Sequence, residues 1–341
     1  MPVVVIFLRG GADGLALVPP VGEDAYHRLR PLTGLARGAG IRLDDRFALH
    51  PDLAPLRPWW DAGRLGVAPA AGIPEDSRSH FVAQGWLEHG GGDVAGGWLG
   101  RWLQGVDEPL AAVALGQQLP ESLRGAPAAV ALQELSELAR PGGEALAGRL
   151  SALAAADPLL AAPSRAALEV HSRLVALAAR PKPSGYPDDE FANRLATVAG
   201  LIHAGVGLRC ACVDLPGWDS HIATDTLLTP QRHTLAGGLA AFAADLGPAL
   251  ADTSIVVMTE FGRRCEENAS LGTDHGRAGC AFVLGGRGPG GIIGGWPGLD
   301  HLEGPGDLPV ATDLRGLLSS VLARHGEFDA ARVFPGFALP N

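Results

Sequence analysis

Val3-Val4-Val5-Ile6-Phe7-Leu8-Arg9-Gly10-Gly11-Ala12-Asp13-Gly14 is the stretch from which the fold is read. Its apolar run shows no polar alternation and is rich in β-branched residues, as expected of a strand buried on both faces of a parallel sheet. The glycines that follow permit a tight turn and a close backbone approach to a ligand. Their spacing is not G-x-G-x-x-G, so a dinucleotide cradle is not indicated. Asp13 is then either a solvated turn residue or the first acid of a site.

Other apolar runs end in the same way. Leu65 to Ala70 leads into Ile73-Pro74-Glu75-Asp76-Ser77-Arg78-Ser79-His80-Phe81, and Leu208 to Leu215 into Pro216-Gly217-Trp218-Asp219-Ser220-His221. Thr253 to Thr259 stops at Glu260-Phe261-Gly262-Arg263-Arg264, and a polar loop then delivers Thr273-Asp274-His275-Gly276 ahead of a run from Cys280 to Leu284. Helical patterns separate these runs, over about 51–62, 93–104, 189–203, 230–250 and 312–325. Ala111 to Leu115 reads as one more strand. Strands alternating with helices predict an α/β fold, a three-layer α/β/α sandwich around a mostly parallel sheet. Residues 120–187 are Ala/Leu-rich with helical spacing and read as a helical insertion or cap within a single domain spanning 1–341. His171 within it reads as a surface or packing histidine.

Composition narrows the classes. A chain of 341 residues, 47% hydrophobic and 19% charged, can bury a large core and is not of disordered type. A net charge of −10 with no long basic run argues against nucleic-acid binding, which needs clustered cations against phosphate. No apolar run approaches the ~20 residues of a spanning helix, so no membrane partner is expected. The opening run lacks the pattern of a signal peptide, and the expected location is the cytoplasm. Cys210, Cys212, Cys265 and Cys280 are too few for a disulfide scaffold; the first two share one strand face and read as buried residues.

In parallel sheets ligands bind at the carboxyl ends of the strands. Asp13, Ser77, Ser79, Asp219, His221, Glu260, Asp274 and His275 all fall just after predicted strands or in loops leaving them. Carboxylates with neutral imidazoles are ligands of Zn²⁺ and Mn²⁺. Asp219 and His221 could bind one ion together or serve two ions, ~3.5–4 Å apart, that clamp an in-line displacement. A metal-free site, with His221 or His275 as general base, is the other chemistry these residues allow. Ser77 and Ser79 suit a helix N-cap, and the same position suits a nucleophile facing an anion.

Four motifs together carry a family resemblance: Phe7 to Leu15, Arg78-Ser79-His80-Phe81-Val82-Ala83-Gln84, Gly217-Trp218-Asp219-Ser220-His221, and Thr259-Glu260-Phe261-Gly262-Arg263 with Asp274-His275-Gly276. In this order they resemble the bacterial family called domain of unknown function 1501, related to the alkaline phosphatase and sulfatase superfamily. The resemblance implies an alkaline-phosphatase-like sandwich with two divalent ions, zinc or manganese. It implies Asp13 as ligand of one ion, Asp219 and His221 as ligands of the other, and Glu260 and His275 completing the set; Asp274, beside His275, reads either as a further ligand or as the group that orients that ring. Ser79 matches the nucleophile, with Ser77 second. Glu260-Phe261 stands where phosphatases carry Asp-His, and Ser77-Arg78-Ser79 lacks the sulfatase Cys/Ser-x-Pro-x-Arg pattern, which disfavours sulfatase activity.

The leading expectation is a metal-dependent hydrolase or transferase acting on a small phosphate or related anionic ester. Ser79 would attack, and Arg9, Arg78 or Arg263 would grip the non-bridging oxygens. The alternatives are a non-catalytic binding or assembly protein that keeps the fold without metals, and a metalloenzyme with other chemistry. A homo-oligomer is compatible with either.

Overall fold

A computed structural model of the chain describes residues 1–134, 148–149, 151–152, 158–179, 183–286 and 288–338. In chain order the strands are β1 (Val3–Leu8), β2 (Ile41–Arg42), β3 (Ala48–Leu49), β4 (Leu65–Gly72), β5 (Ala112–Leu115), β6 (Ala129–Leu132), β7 (Cys210–Leu215), β8 (Ser254–Met258), β9 (Gly279–Gly285), β10 (Gly291–Ile292) and β11 (Thr312–Asp313). β2 and β3 form a small antiparallel pair. The others form one sheet in the order β10-β4-β9-β8-β1-β7-β5-β6, with β11 added to β4.

β1 lies near the centre, parallel to β7 on one side and β8 on the other. All six of its residues are buried, as the unbroken apolar run predicts. Val4, Ile6 and Leu8 pack with residues of helices Glu190–Ala204 and Thr229–Leu246. Val3, Val5 and Phe7 belong to the opposite cluster, with Leu87, Trp98, Leu318 and Phe334. Helices thus cover both faces, and each fully buried Val, Ile or Leu contributes roughly 1.5–3 kcal/mol relative to exposure. The mixed α/β class and the mostly parallel sheet agree with the sequence reading.

β9 is the exception to parallel order, running antiparallel to both β8 and β4. Its amino end therefore lies at the same sheet edge as the carboxyl ends of β1, β7 and β8. Asp274 and His275 enter β9 as well as leave β8, and this reversal brings them to the edge where Asp219 and Glu260 stand.

Part of the expected helical insertion is corrected. Glu121–Leu123 is a 3-10 turn and Ala129–Leu132 is strand β6, parallel to β5. Four apolar residues after Pro127 fit either element, and pairing to an open sheet edge decides the outcome. Pro158–Ala178 is helical; residues 135–147 of the insertion lie outside the described residues. Pro51 to Ala62 also divides, into a 3-10 turn (Pro51–Leu56) and a short α-helix (Arg57–Asp61). The Thr224–Asp252 region is long and apolar enough to cross a membrane by composition. In the fold its Leu235, Leu239, Phe242 and Leu246 are core residues.

All four cysteines are buried and free. Cys210 and Cys212 lie in the same core cluster, as their alternation requires.

Candidate metal centre

The turn after β1 folds against the turn after β7. Gly10, at φ +120°, has no room for a side chain: a Cβ there would stand 2.4 Å from the Asp219 nitrogen. Glu260, at the end of β8, is buried and ties these turns together. Its Oε1 accepts from the Gly10 amide (2.9 Å), the Gln84 side-chain amide (2.9 Å) and His80 Nδ1 (2.8 Å). Burial alone would raise this carboxyl, but the bonds from Gln84 and His80 outweigh it and hold the acid below its usual range.

Three imidazoles meet beside it. His80 Nε2 lies 3.1 Å from His275 Nε2, which lies 3.1 Å from His221 Nε2. Asp219 completes the group: Oδ1 is 3.1 Å from His221 Nε2 and 3.2 Å from His275 Nε2, and Oδ2 is 3.3 Å from His80 Nε2. Each ring presents its other nitrogen to an acceptor. His80 Nδ1 faces Glu260, His221 Nδ1 faces Asp274 Oδ1 at 3.2 Å, and His275 Nδ1 faces the Arg78 carbonyl at 2.9 Å. These partners accept only, so they place the proton on Nδ1 and leave a lone pair on Nε2.

His275 Nε2 and Asp219 each lie within hydrogen-bond distance of both His80 and His221, and the Arg263 guanidinium borders the group, 2.8 Å from Asp219 Oδ1 and 3.3 Å from His221 Nε2. Burial lowers the pKa of His275, which keeps that ring neutral at pH 7. Asp219 stays ionised: burial pushes it up, but the bond from the Arg263 guanidinium prevails and holds it far below the usual carboxylate range. Neutral imidazoles and a carboxylate form a donor set for a divalent ion of the zinc class. In a tetrahedral site with bonds of ~2.0–2.1 Å, ligand atoms stand about 3.3–3.4 Å apart, close to the separations of His275 Nε2 from the other two rings and of Asp219 from all three. Carboxylate or carbonyl support of the second ring nitrogen is the usual accompaniment of metal-bound histidine. Among the described residues, His80, Asp219 and His275 are the group whose donor atoms all lie within 4.8 Å of one another. His221 adjoins two of them.

The family model described as protein of unknown function (DUF1501) matches residues 60–304. The chain belongs to that family. The match contains every residue of the histidine cluster and stops short of Arg9 and Asp13. No curated protein matches the chain. Among solved structures it is similar to the C-terminal periplasmic domain of EcEptC from Escherichia coli in complex with Zn, at TM-score 0.37 and 11% identity, over 84% of this chain and 72% of that chain. A likeness at that level carries no argument about this chain.

The DUF1501 chain assigns its expected site residues unevenly. Asp219, His221 and His275 come together, and Asp274 stands behind His221 rather than His275. Glu260 supports His80 and does not face the cluster directly. Asp13 is corrected: it is buried, caps the helix Gly14–Leu17 through the Leu15 and Ala16 amides, and is ion-paired with Arg30 at 2.7 Å. Arg30 supplies the positive charge there, so no ligand atom of Asp13 is left for an ion.

The expected anion-gripping arginines are also committed elsewhere. Arg263 is buried, donates to the Gly10 and Gly11 carbonyls at 2.6 and 2.7 Å, and holds Asp219 Oδ1 at 2.8 Å. Arg78 bonds the His275 carbonyl at 2.7 Å and pairs with Asp307. Arg9 lies over the Phe7 ring and pairs with Glu88 and Asp214. Ser77 Oγ accepts from the Ser79 amide at 3.2 Å. Ser79 is exposed at the N-cap of helix His80–His89, and its hydroxyl makes no capping bond.

His80 is the residue that sequence reasoning missed. It stands inside the quoted Arg78-Ser79-His80-Phe81 motif, directly after a strand and turn. The signal was a third imidazole in the same setting as His221 and His275; the neighbouring hydroxyls, which also suit a cap, took the functional reading instead.

Proposed function

We propose that this DUF1501 protein is a metal-dependent hydrolase or transferase acting on a phosphate or related anionic ester, on an alkaline-phosphatase-like scaffold. His80, Asp219, His221 and His275 would hold one divalent ion, zinc or manganese, in place of the two expected from the resemblance. The observation that carries the reading is the placing of His275 Nε2 and Asp219 within 3.3 Å of both His80 and His221 Nε2, with the rings each fixed from behind by Glu260, Asp274 or the Arg78 carbonyl.

Such an ion, when bound, supplies Lewis-acid stabilisation of negative charge on an ester oxygen. The chain's own residues do the rest. Glu260 and Asp274 hold protons on His80 and His221 Nδ1, so the opposite lone pairs point into the site. Arg263 fixes Asp219 and offsets its charge. The amides of His80, Phe81 and Val82 open a helix whose N-cap side chain leaves them uncapped, and a helix start of this kind favours an anion. Ser79 Oγ, exposed and next to His80, is the proposed nucleophile.

Purified protein should contain about one equivalent of zinc or manganese and turn over p-nitrophenyl phosphate, and Ser79→Ala should abolish turnover while keeping the metal. Turnover undiminished in Ser79→Ala would move the attack to water or Ser77. The commitment of Arg9, Arg78 and Arg263 to protein acceptors favours one second reading, a non-catalytic binding protein. Metal bound with no ester turned over would favour it.

A further inference from the structure

A cavity of about 210 Å³ adjoins the turns that carry the histidine cluster. Gly272 and Thr273, just ahead of Asp274 and His275, line it, as does Thr224, three residues after His221. Its inner end is formed by Asp13 and Arg30, both buried, while Asp225 at its mouth keeps a side chain 67% exposed. An apolar cavity of ~150 Å³ accepts benzene, so this one holds a single ring with a substituent. Among the described residues, the non-glycine positions in the left-handed region are Ala223 (φ 42°) and Leu271 (φ 57°). Each immediately precedes a lining residue, Thr224 or Gly272, and the Thr224 amide joins them by donating to the Leu271 carbonyl at 2.9 Å. Backbone held in that region is costly and concentrates at ligand sites.

The lining selects the charge of a ligand. Arg30 is the one arginine or lysine in it. Its guanidinium is committed to both Asp13 oxygens, at 2.7 and 3.1 Å, and to the Cys265 and Arg264 carbonyls, both at 2.9 Å. An anion would find no free cation there. His50 adds none, because burial and then Arg232 lower its pKa and keep the ring neutral at pH 7. Negative charge is in surplus. Asp52 and Asp225 share the single guanidinium of Arg232, at 2.7 and 3.1 Å. Asp225 meets both Arg232 and His50 through Oδ1, and its Oδ2 takes no bond from the described residues. Leu35, Ala36 and Ala39 supply an apolar wall, and apolar walls with a few polar groups are usual in small-molecule sites.

We propose that this cavity binds a small organic cation, an ammonium group on an apolar body, with its charge against Asp225 and its body against Leu35, Ala36 and Ala39. The chain's net charge of −10 favours the approach of such a ligand. The site is separate from the histidine cluster and needs no ion there.

Titration calorimetry of the full chain, with and without zinc, against benzylamine, benzyl alcohol, benzoate and methylamine tests this. Benzylamine is expected to bind about three- to fivefold more tightly than benzyl alcohol, the effect of one partly exposed ion pair, and benzoate more weakly than either. Methylamine keeps the charge and lacks the ring, so it should bind at least about tenfold more weakly than benzylamine. Asp225→Asn should bring benzylamine and benzyl alcohol to equal affinity and Asp225→Glu should keep the preference, with circular dichroism checking the fold of both. Equal affinity for the amine, the alcohol and benzoate, or no binding by any of them, would overturn the proposal. So would methylamine binding as tightly as benzylamine, or a preference for the amine that survives in Asp225→Asn. A preference seen only with zinc would place the amine at the histidine cluster and overturn it too.

Discussion

At the scale of single residues, Glu260 shows how a buried acid acts on a site without entering it. Its Oε1 gathers three donors, one of them His80 Nδ1, so it fixes the tautomer and aim of that ring. Glu260→Gln should weaken zinc binding about 10–100-fold, the usual effect of removing a supporting acid, while the protein stays folded. Competition with a chromophoric chelator measures this, and unchanged affinity would separate Glu260 from the site. Residue roles were only partly legible in the sequence. Asp219, His221 and His275 were legible because acid and imidazole recur in turns after buried runs. Asp13 misled because its partner, Arg30, approaches from elsewhere in the fold, and nothing in the spacing shows which cation neutralises a buried acid. His80 was hidden beside two serines that a helix start explains equally well.

At the scale of elements, the centre depends on turns packed backbone to backbone. Gly10→Ala would drive a methyl group against the Asp219 amide and the Trp218 carbonyl carbon, at 2.4 and 2.9 Å, with strain added by φ +120°. That variant should lose zinc affinity as well as stability, because Asp219 must shift; denaturant unfolding and chelator competition on the same sample would show whether the two losses occur together. The direction of β9 matters as much. Apolar composition marks a buried strand without giving its sense, so Cys280 to Leu284 could be read as a strand but not as an antiparallel one. Only the reversal explains why a loop that precedes β9 supplies His275 to an edge built from strand ends. Strand β6 was missed for a related reason: Ala129-Val130-Ala131-Leu132 is too short for its period to be decided without a neighbour.

At the scale of the whole molecule, the long apolar runs made the sheet legible, and local propensity gave the capped helices. Asp189, for instance, caps its helix through the Ala192 amide. Two buried polar contacts then lock the fold. Asp13 and Arg30 form an ion pair with both side chains buried, and Asp13→Asn should destabilise the protein by ~3–5 kcal/mol by leaving Arg30 uncompensated, without changing metal content. Urea unfolding with metal analysis checks both halves. His325 ties the chain's two ends, bonding the Met1 carbonyl at 3.1 Å and Ser254 Oγ at 2.8 Å. Burial, opposed by the Met1 bond, lowers its pKa, so below about pH 6.5 the unfolded state takes up the proton more readily than the folded state. Its contribution is present above that pH and lost as pH falls toward the depressed folded value. His325→Gln should therefore flatten stability against pH below about 6.5; an unchanged slope would assign the dependence to other groups.

The central claim is that His80, Asp219, His221 and His275 hold one divalent ion. Equilibrium dialysis of the full chain against zinc, followed by metal analysis of wild type and His80→Ala, tests it most directly. The account predicts about one tightly bound ion per wild-type chain and loss of that ion in His80→Ala, with the variant still folded. No ion in the wild type, two ions, or one retained undiminished in His80→Ala would contradict it.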